Sequence, residues 1–389
     1  MIEIKNGTDT LADKVRFLGS GTAFAADAGP VELRQTHMSV VFLTRDRVYK
    51  LKKPVRFSYL DFSTPERREA ACRAELKINQ VLAPEIYLAV VPLTRGLQGY
   101  RLDGGGEVVD WLVVMRRLDE AQMMDRAILE GRLTPSDVDR LVARLVAFYR
   151  HAAPVFVSPR AWLERWQRDI AINEALLRRK PFDLPQGRMA WIHHTLQRFL
   201  RERQALFLHR FRARQIVDGH GDLRPEHIWL GRPIRIIDRL EFDPALRRVD
   251  PFDEAAYLDL ECARLGAAWA GARLRRGLIR ALRNGPSEQL FVFYRCYRAA
   301  LRARLAIAHL LEPDVRTPEK WRPLALDYLA FAAADAKRLE RFLRTPADSR
   351  SAGPGAGGRS PRPAAARTAG YRACPSPLRI SAGTAAPHR

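Results

Sequence analysis

The apolar residues of this chain change period once. From residue 31 to about 118 they come in short alternating runs, and from about Asp119 to 344 they recur at helical spacing. A chain patterned this way is expected to be α+β, with a small sheet-rich lobe followed by a larger helical one. Two lobes of unlike construction leave a cleft between them.

In the first part, VELRQT (31–36), VVFLT (40–44) and RVYKLKK (47–53) read as strands, with His37-Met38-Ser39 as a short loop. Ser63 or Thr64 caps a helix over about 65–82, with Pro65 in its first turn and Ala71, Ala74, Ile78, Val81 and Leu82 on one face. LAVVPLT (88–94) and VVDWLVVM (108–115) are apolar strands, and Asp103-Gly104-Gly105-Gly106 has the chemistry of a hairpin turn between them. Helices are expected over 135–152, 160–178, 188–210, 251–272, 287–311 and 319–344. A β-island interrupts them, made of QIV (215–217), HIWL (227–230) and IRIID (234–238). The expected organisation is therefore an N-terminal extension (1–30), a sheet lobe (31–118), a helical lobe (119–345) and a tail (346–389).

Composition narrows the classes. No apolar run approaches the roughly 20 residues of a membrane-spanning helix, and MIEIKNGTDT lacks the apolar stretch of a secretory signal. The four cysteines, Cys72, Cys262, Cys296 and Cys374, form no CxxC pair. That argues against a zinc ribbon, a thioredoxin-type site and a disulfide framework, and for a cytoplasmic protein. The net charge is +22. After Pro346 there are seven arginines against one aspartate, so +6 of that charge lies in a tail of Ala, Gly, Pro, Ser and Arg that reads as disordered. Stacking aromatics are not interleaved with the basic residues. Nucleic acid is therefore not an expected partner, beyond non-specific contact through the tail.

The chemistry concentrates in HGDLRPEHIWLGRPIRIIDRLEFD (220–243). Asp222 sits in a polar loop after a short strand, and Asp238 ends the strand that returns. Two carboxylates at one end of such an island suit a divided task. One accepts a proton from a hydroxyl nucleophile while the other holds a divalent cation. HGD alone is a weak motif, and its order in the chain gives it weight. A strand lysine, a helix glutamate, an apolar linking strand, the HGD loop and then Asp238 follow one another.

In that order the chain resembles the aminoglycoside phosphotransferase/choline kinase group, which has the two-lobed protein-kinase-like fold. The likeness is greatest to bacterial "aminoglycoside phosphotransferase family enzyme" proteins of unassigned substrate. The phrases that carry it are THMSVVFL (36–43), VYKLKKPVRFSYLDFST (48–64), AELKINQVLAPEIYL (74–88), VVMRRL (113–118), HGDLRPEHIWL (220–230), IIDRLEFDPALRRVDPFDEAAYL (236–258) and FYRCYRAALRAR (293–304).

The resemblance implies ATP-dependent transfer of a phosphoryl group to a hydroxyl of a small molecule, with ATP and Mg²⁺, or Mn²⁺, as cofactors. Lys50 takes the place of the phosphate-binding lysine, with Lys52 as the fallback on the same strand face, and Glu75 the place of its carboxylate partner. His37 and Ser39 lie in the loop that covers the phosphates, and Val114, Met115 and Arg116 lie where the interlobe linker meets adenine. Asp222 takes the place of the catalytic aspartate and Asp238 that of the metal-binding one. His220 reads as a brace for the loop, and Asp253 as a helix cap. One position departs from the family pattern. His227 stands where an asparagine ligates the second metal, and Mg²⁺ prefers oxygen to nitrogen. A catalytically weakened nucleotide-binding or scaffold module is therefore the alternative.

Overall fold

The structure is a computed structural model and describes residues 10–345, apart from 26, 58, 59, 313, 314 and 316. The expected tail, 346–389, lies outside the described residues.

A helix that the strand pattern does not announce comes first: α1 (Leu11–Gly19), capped by Thr10, whose side chain accepts from the Asp13 N–H. It lies on the sheet, with Leu18 buried beside Val40, Phe42 and Leu51. The expected extension is thus part of the first lobe's core. The sheet follows as β1 (Glu32–Gln35), β2 (Ser39–Leu43) and β3 (Arg47–Lys52). A small hairpin of β4 (Arg56–Phe57) and β5 (Leu60–Asp61) leads to α2 (Pro65–Asn79), which Thr64 caps. The lobe closes with β6 (Tyr87–Gly96), β7 (Gly99–Leu102) and β8 (Glu107–Arg116). The six main strands are antiparallel in the order β1-β2-β3-β8-β6-β7.

Two sequence expectations change here. Asp103–Gly106 is not a hairpin turn: β7 pairs with β6, so this segment carries the chain past β6 to β8. It passes close to β6, and a Cβ on Gly106 would lie 2.5 Å from the Arg95 carbonyl oxygen, which is why glycine is needed there. The second change concerns α2. It ends at Asn79, and its buried face carries Arg68, Cys72, Glu75 and Asn79 as well as Ala71, while Val81 lies exposed beyond it. The helix is rotated from the apolar-face expectation because it serves buried ions. Arg68 chelates Asp110 of β8 at 2.6 and 2.9 Å, and Asp110 also takes Lys14 of α1 at 2.8 Å.

The helical lobe comprises α3 (Met124–Leu129), α4 (Pro135–His151), α5 (Pro159–Leu177), α6 (Gln186–Glu202) and α7 (Gln204–Arg212). The island follows as β9 (Val217–Asp218), β10 (Ile228–Trp229), β11 (Arg235–Ile236) and β12 (Arg248–Val249). Then come α8 (Pro251–Arg264), α9 (Ala268–Leu282), α10 (Glu288–Ala308) and α11 (Pro318–Arg344). Two of the expected helices are broken. The 251–272 stretch turns at Gly266, φ +93°, a left-handed C-terminal position that glycine adopts without strain. The 188–210 stretch breaks at Arg203, where no glycine or proline marks the break. There the Arg203 guanidinium donates to the carbonyls of Phe342 and Thr345 past the end of α11's last turns.

The core of this lobe is one apolar cluster centred on Trp166, which packs against Phe207, Phe293, Tyr294 and Tyr297 with ring centroids 4.9–5.9 Å apart. Cys72, Cys262 and Cys296 are buried free thiols. Among the described residues, no helix is long and apolar enough to cross a membrane.

Candidate active site

Strand β3 is central in the sheet, so its side chains on one face look onto α2 and the island. Lys50 and Lys52 share that face, as strand alternation requires, and both reach Glu75. Lys50 Nζ lies 2.9 Å from Glu75 Oε1 and 3.1 Å from Asp238 Oδ1. Lys52 Nζ lies 2.6 Å from Glu75 Oε2 and also pairs with Glu241. Their burial separates them. The Lys52 side chain is 1% exposed and enclosed by two carboxylates, whereas Lys50 reaches Asp238, whose side chain is 45% exposed at the mouth of the site. Burial opposes the charge on both lysines, but the carboxylates outweigh it. Asp238, Glu75 and Glu241 raise Lys50 well above its usual range, and Glu241 and Glu75 raise Lys52.

Asp238 ends the returning strand in the left-handed region, φ +62°. Its N–H contacts the Tyr87 hydroxyl at 3.0 Å, and the next residue, Arg239, donates its N–H to Asn79 of α2 at 2.8 Å. The sheet lobe therefore fixes the backbone that presents this carboxylate. The Lys50 ammonium, followed by His227, holds Asp238 well below the usual carboxylate range against the effect of burial.

Asp222 is fixed from the other side. Gly221, at φ +92°, donates its N–H to the buried Glu254 carboxylate. A Cβ there would press on Leu240 at 3.0 Å and on the Leu246 carbonyl at 3.2 Å, so the loop turns on glycine. The Asp222 carboxylate accepts from Arg224 Nε at 3.0 Å and from the Tyr257 hydroxyl at 3.0 Å. Burial would raise its pKa, but the charges of Arg224, His227 and Arg302 hold it far below the usual range.

His227 lies between the two aspartates. Nδ1 is 2.8 Å from the Asp222 carbonyl, so in the neutral ring Nδ1 carries the hydrogen and donates it. Nε2 lies 3.6 Å from Asp238 Oδ2, with Arg224 Nη2 at 3.3 Å. The ring points to the carboxylates and not into the core. Among the described residues, no group of three His, Cys, Asp or Glu side chains is arranged to hold a metal. The donors at hand are one half-exposed carboxylate and one imidazole nitrogen. This set fits Mg²⁺ or Mn²⁺ when ligand oxygens supply the rest of the shell, and the nitrogen suits Mn²⁺ better.

The other expected residues lie around this centre. His220 is buried and braces the loop, with Nε2 2.9 Å from the Ile237 carbonyl. Burial, then the charge of His227, lowers its pKa to about 3. Asp253 is not the cap of α8. That role belongs to Asp250, whose side chain accepts from the Phe252 N–H, while Asp253 is buried in a bidentate pair with Arg298 at 2.7 Å. The His37-Met38-Ser39 loop is a tight turn in which Thr36 N–H donates to the Ser39 carbonyl and Ser39 N–H donates to Thr36 Oγ1. His37 stacks on Phe57 and lies 3.0 Å from Glu312 of the helical lobe, while Ser39 is paired with Lys52 across β2 and β3. Val114, Met115 and Arg116 still belong to β8. Val114 and Met115 are laddered to β3 and β6, Arg116 pairs with Arg47 and donates its N–H to the Ile86 carbonyl, and the linker proper begins after them.

Glu241, Tyr257 and Arg302 went unassigned in the sequence. All three lie inside the phrases that carry the resemblance, but nothing in their spacing sets them apart.

A strand lysine lies between a helix glutamate and a loop aspartate where a sheet lobe meets a helical lobe, in a two-lobed α+β fold. No family model matches the chain. An uncharacterized protein of Mycobacterium tuberculosis is 32% identical over 293 residues, covering 71% of this chain and 54% of the relative, and one of Mycobacterium bovis matches to the same extent. The chain thus spans about half the length of the curated relatives it matches. Among solved structures, a choline/ethanolamine kinase family protein from Mesorhizobium loti is similar over 87% of this chain and 96% of its own, at 17% identity and a TM-score of 0.48. A choline kinase from Streptococcus pneumoniae is similar over 85% and 99%, at 11% identity and a TM-score of 0.49. An ADP-bound aminoglycoside phosphotransferase is similar over 84% and 99%, at 12% identity and a TM-score of 0.43.

Proposed function

We propose that this protein is an ATP-dependent phosphotransferase that phosphorylates a hydroxyl group of a small molecule. The observation that carries the reading is Lys50, held between Glu75 and Asp238 while Asp222 shares His227 with Asp238.

Lys50 supplies a fixed positive charge for phosphate oxygens, and Glu75 keeps it extended toward the cleft. Asp238, with His227 beside it, holds the divalent ion, which neutralises charge on the phosphates when bound. Asp222 orients the acceptor hydroxyl. Held ionised by Arg224, it is a weak base, so it takes the proton late, as the acceptor oxygen bonds to the γ-phosphorus and the bond to the ADP oxygen breaks. Tyr257 and Arg224 fix the direction of its lone pairs.

Release of ADP, measured over a panel of small hydroxyl compounds with Mg²⁺ or Mn²⁺, tests the reading. It requires acceptor-dependent release by the wild type and release slower by at least about 10²-fold in Asp222→Asn. Equal release by both proteins contradicts it.

A second reading is favoured by His227 and by the absence of a three-ligand cluster among the described residues. In that reading the site binds nucleotide without transferring its phosphoryl group. Metal-independent ATP binding with no ADP release over the whole panel would select it.

A further inference from the structure

The helical lobe has a pocket of about 640 Å³ whose lining includes Arg150, Arg214, Arg280 and Arg283, with Arg150 donating one N–H to the Ala281 carbonyl at 2.8 Å. Among the described residues, no carboxylate lines it. All four arginines are exposed, and none forms an ion pair among the described residues. Their neighbours on α9 differ, since Arg273 is paired with Asp139 and Arg275 with Glu288. Arg280 senses Asp139, but Arg273 already holds that carboxylate at 2.7 Å through two nitrogens.

Arginine at a helix C-terminus has a bland explanation, because it complements the helix dipole. Arg150 ends α4, Arg214 follows α7, and Arg280 and Arg283 end α9. Three helix ends together present about −1.5 charges, against four full positive charges, so the pocket remains positive by about two and a half charges. Like charges gathered without counter-ions destabilise the fold. The volume is that of a small-molecule site, and the floor is partly apolar, formed by Tyr149, Val217 and Leu282.

We infer that this pocket is a second ligand site, separate from the cleft that holds Lys50 and Asp222, and that it takes a phosphorylated small molecule with at least two negative charges. The guanidinium groups supply forked donors for phosphate oxygens, and the apolar floor takes the body of the ligand. The pocket is not remote from the loop. The Tyr149 hydroxyl donates to Glu254 at 2.7 Å, and Glu254 accepts from the Gly221 N–H.

The test is calorimetric titration of the full chain with inorganic pyrophosphate in EDTA, at about 0.15 M salt, where exposed charges are screened beyond about 8 Å. The variant is Arg214→Asn/Arg280→Gln/Arg283→Asn. Asparagine tolerates the left-handed backbone of Arg214 and Arg283, at φ +54° and +55°, so the fold is kept, which an unchanged Tm would verify. The wild type should bind saturably, the triple variant at least about tenfold more weakly, and Lys50→Met like the wild type. Three results overturn the inference: no saturable binding by the wild type at millimolar pyrophosphate, equal binding by the triple variant, which places the anion outside this pocket, or loss of binding in Lys50→Met, which places it in the cleft.

Discussion

Lys50 and Asp238, 188 residues apart in the chain, meet at 3.1 Å. The pair joins the strand that carries the buried ion network of the sheet lobe to the loop that carries the exposed carboxylate of the helical lobe. Its partner Glu75 also holds Lys52, so two lysines on one strand face share one helix carboxylate.

The two lysines should separate in experiment. Lys50→Met removes a charge at the mouth of the site and is expected to lower kcat/KM by about 10²–10³-fold with a small effect on stability. Lys52→Met leaves Glu75 and Glu241 buried with one lysine fewer, and is expected to cost about 3–5 kcal/mol. Urea denaturation beside an ADP-release assay checks both.

Asp222→Asn keeps the hydrogen bond to Tyr257 and loses the charge. Turnover should fall by about 10²–10⁴-fold, while the affinity for nucleotide, measured by equilibrium titration, should stay within about threefold of the wild type.

His220 should stay neutral in the folded protein down to about pH 3. Its folded pKa lies below the unfolded value of about 6.5. Between those values the unfolded state holds a proton that the folded state lacks, so stability falls as pH falls through that window. An NMR titration of the imidazole should show no midpoint above pH 5, and His220→Gln should flatten the acid limb of the stability curve.

Arg298 and Asp253 are both buried and meet in a bidentate pair at 2.7 Å. Arg298→Met strands the carboxylate and is expected to cost about 3–5 kcal/mol, most of which Arg298→Met/Asp253→Leu should recover. The cycle is read by denaturation midpoints.

Much of this molecule was legible in its sequence. The change of period at Asp119, the strand carrying Lys50 and Lys52, and the separation of Asp222 from Asp238 all appear in local pattern, because alternation and turn chemistry are local. Helix α1 is not anticipated by the reading of residues 1–30 as an extension, although Thr10 caps it and Leu11, Val15 and Leu18 follow at helical spacing. What stayed hidden depends on contacts distant in sequence. Which lysine reaches Asp238 is set by the depth of β3 beneath α2. The polar inner face of α2 follows from Asp110, Lys14 and the two lysines, none of them on that helix. Asp250 immediately precedes Pro251, the N-cap place that a proline at the first helical position marks, so the cap was legible, whereas the buried pairing of Asp253 depends on the distant Arg298. The split at Arg203 has no local signal at all.

The central claim is that Asp238 and Lys50 form a metal-dependent nucleotide site, and the most direct measurement is thermal shift with ATP on the wild type and Asp238→Asn. Ligand binding to the folded state raises Tm by mass action. The account predicts a rise in the wild type that requires Mg²⁺ or Mn²⁺ and is lost in Asp238→Asn. No rise with either metal at millimolar ATP, or an equal rise in both proteins, would contradict it.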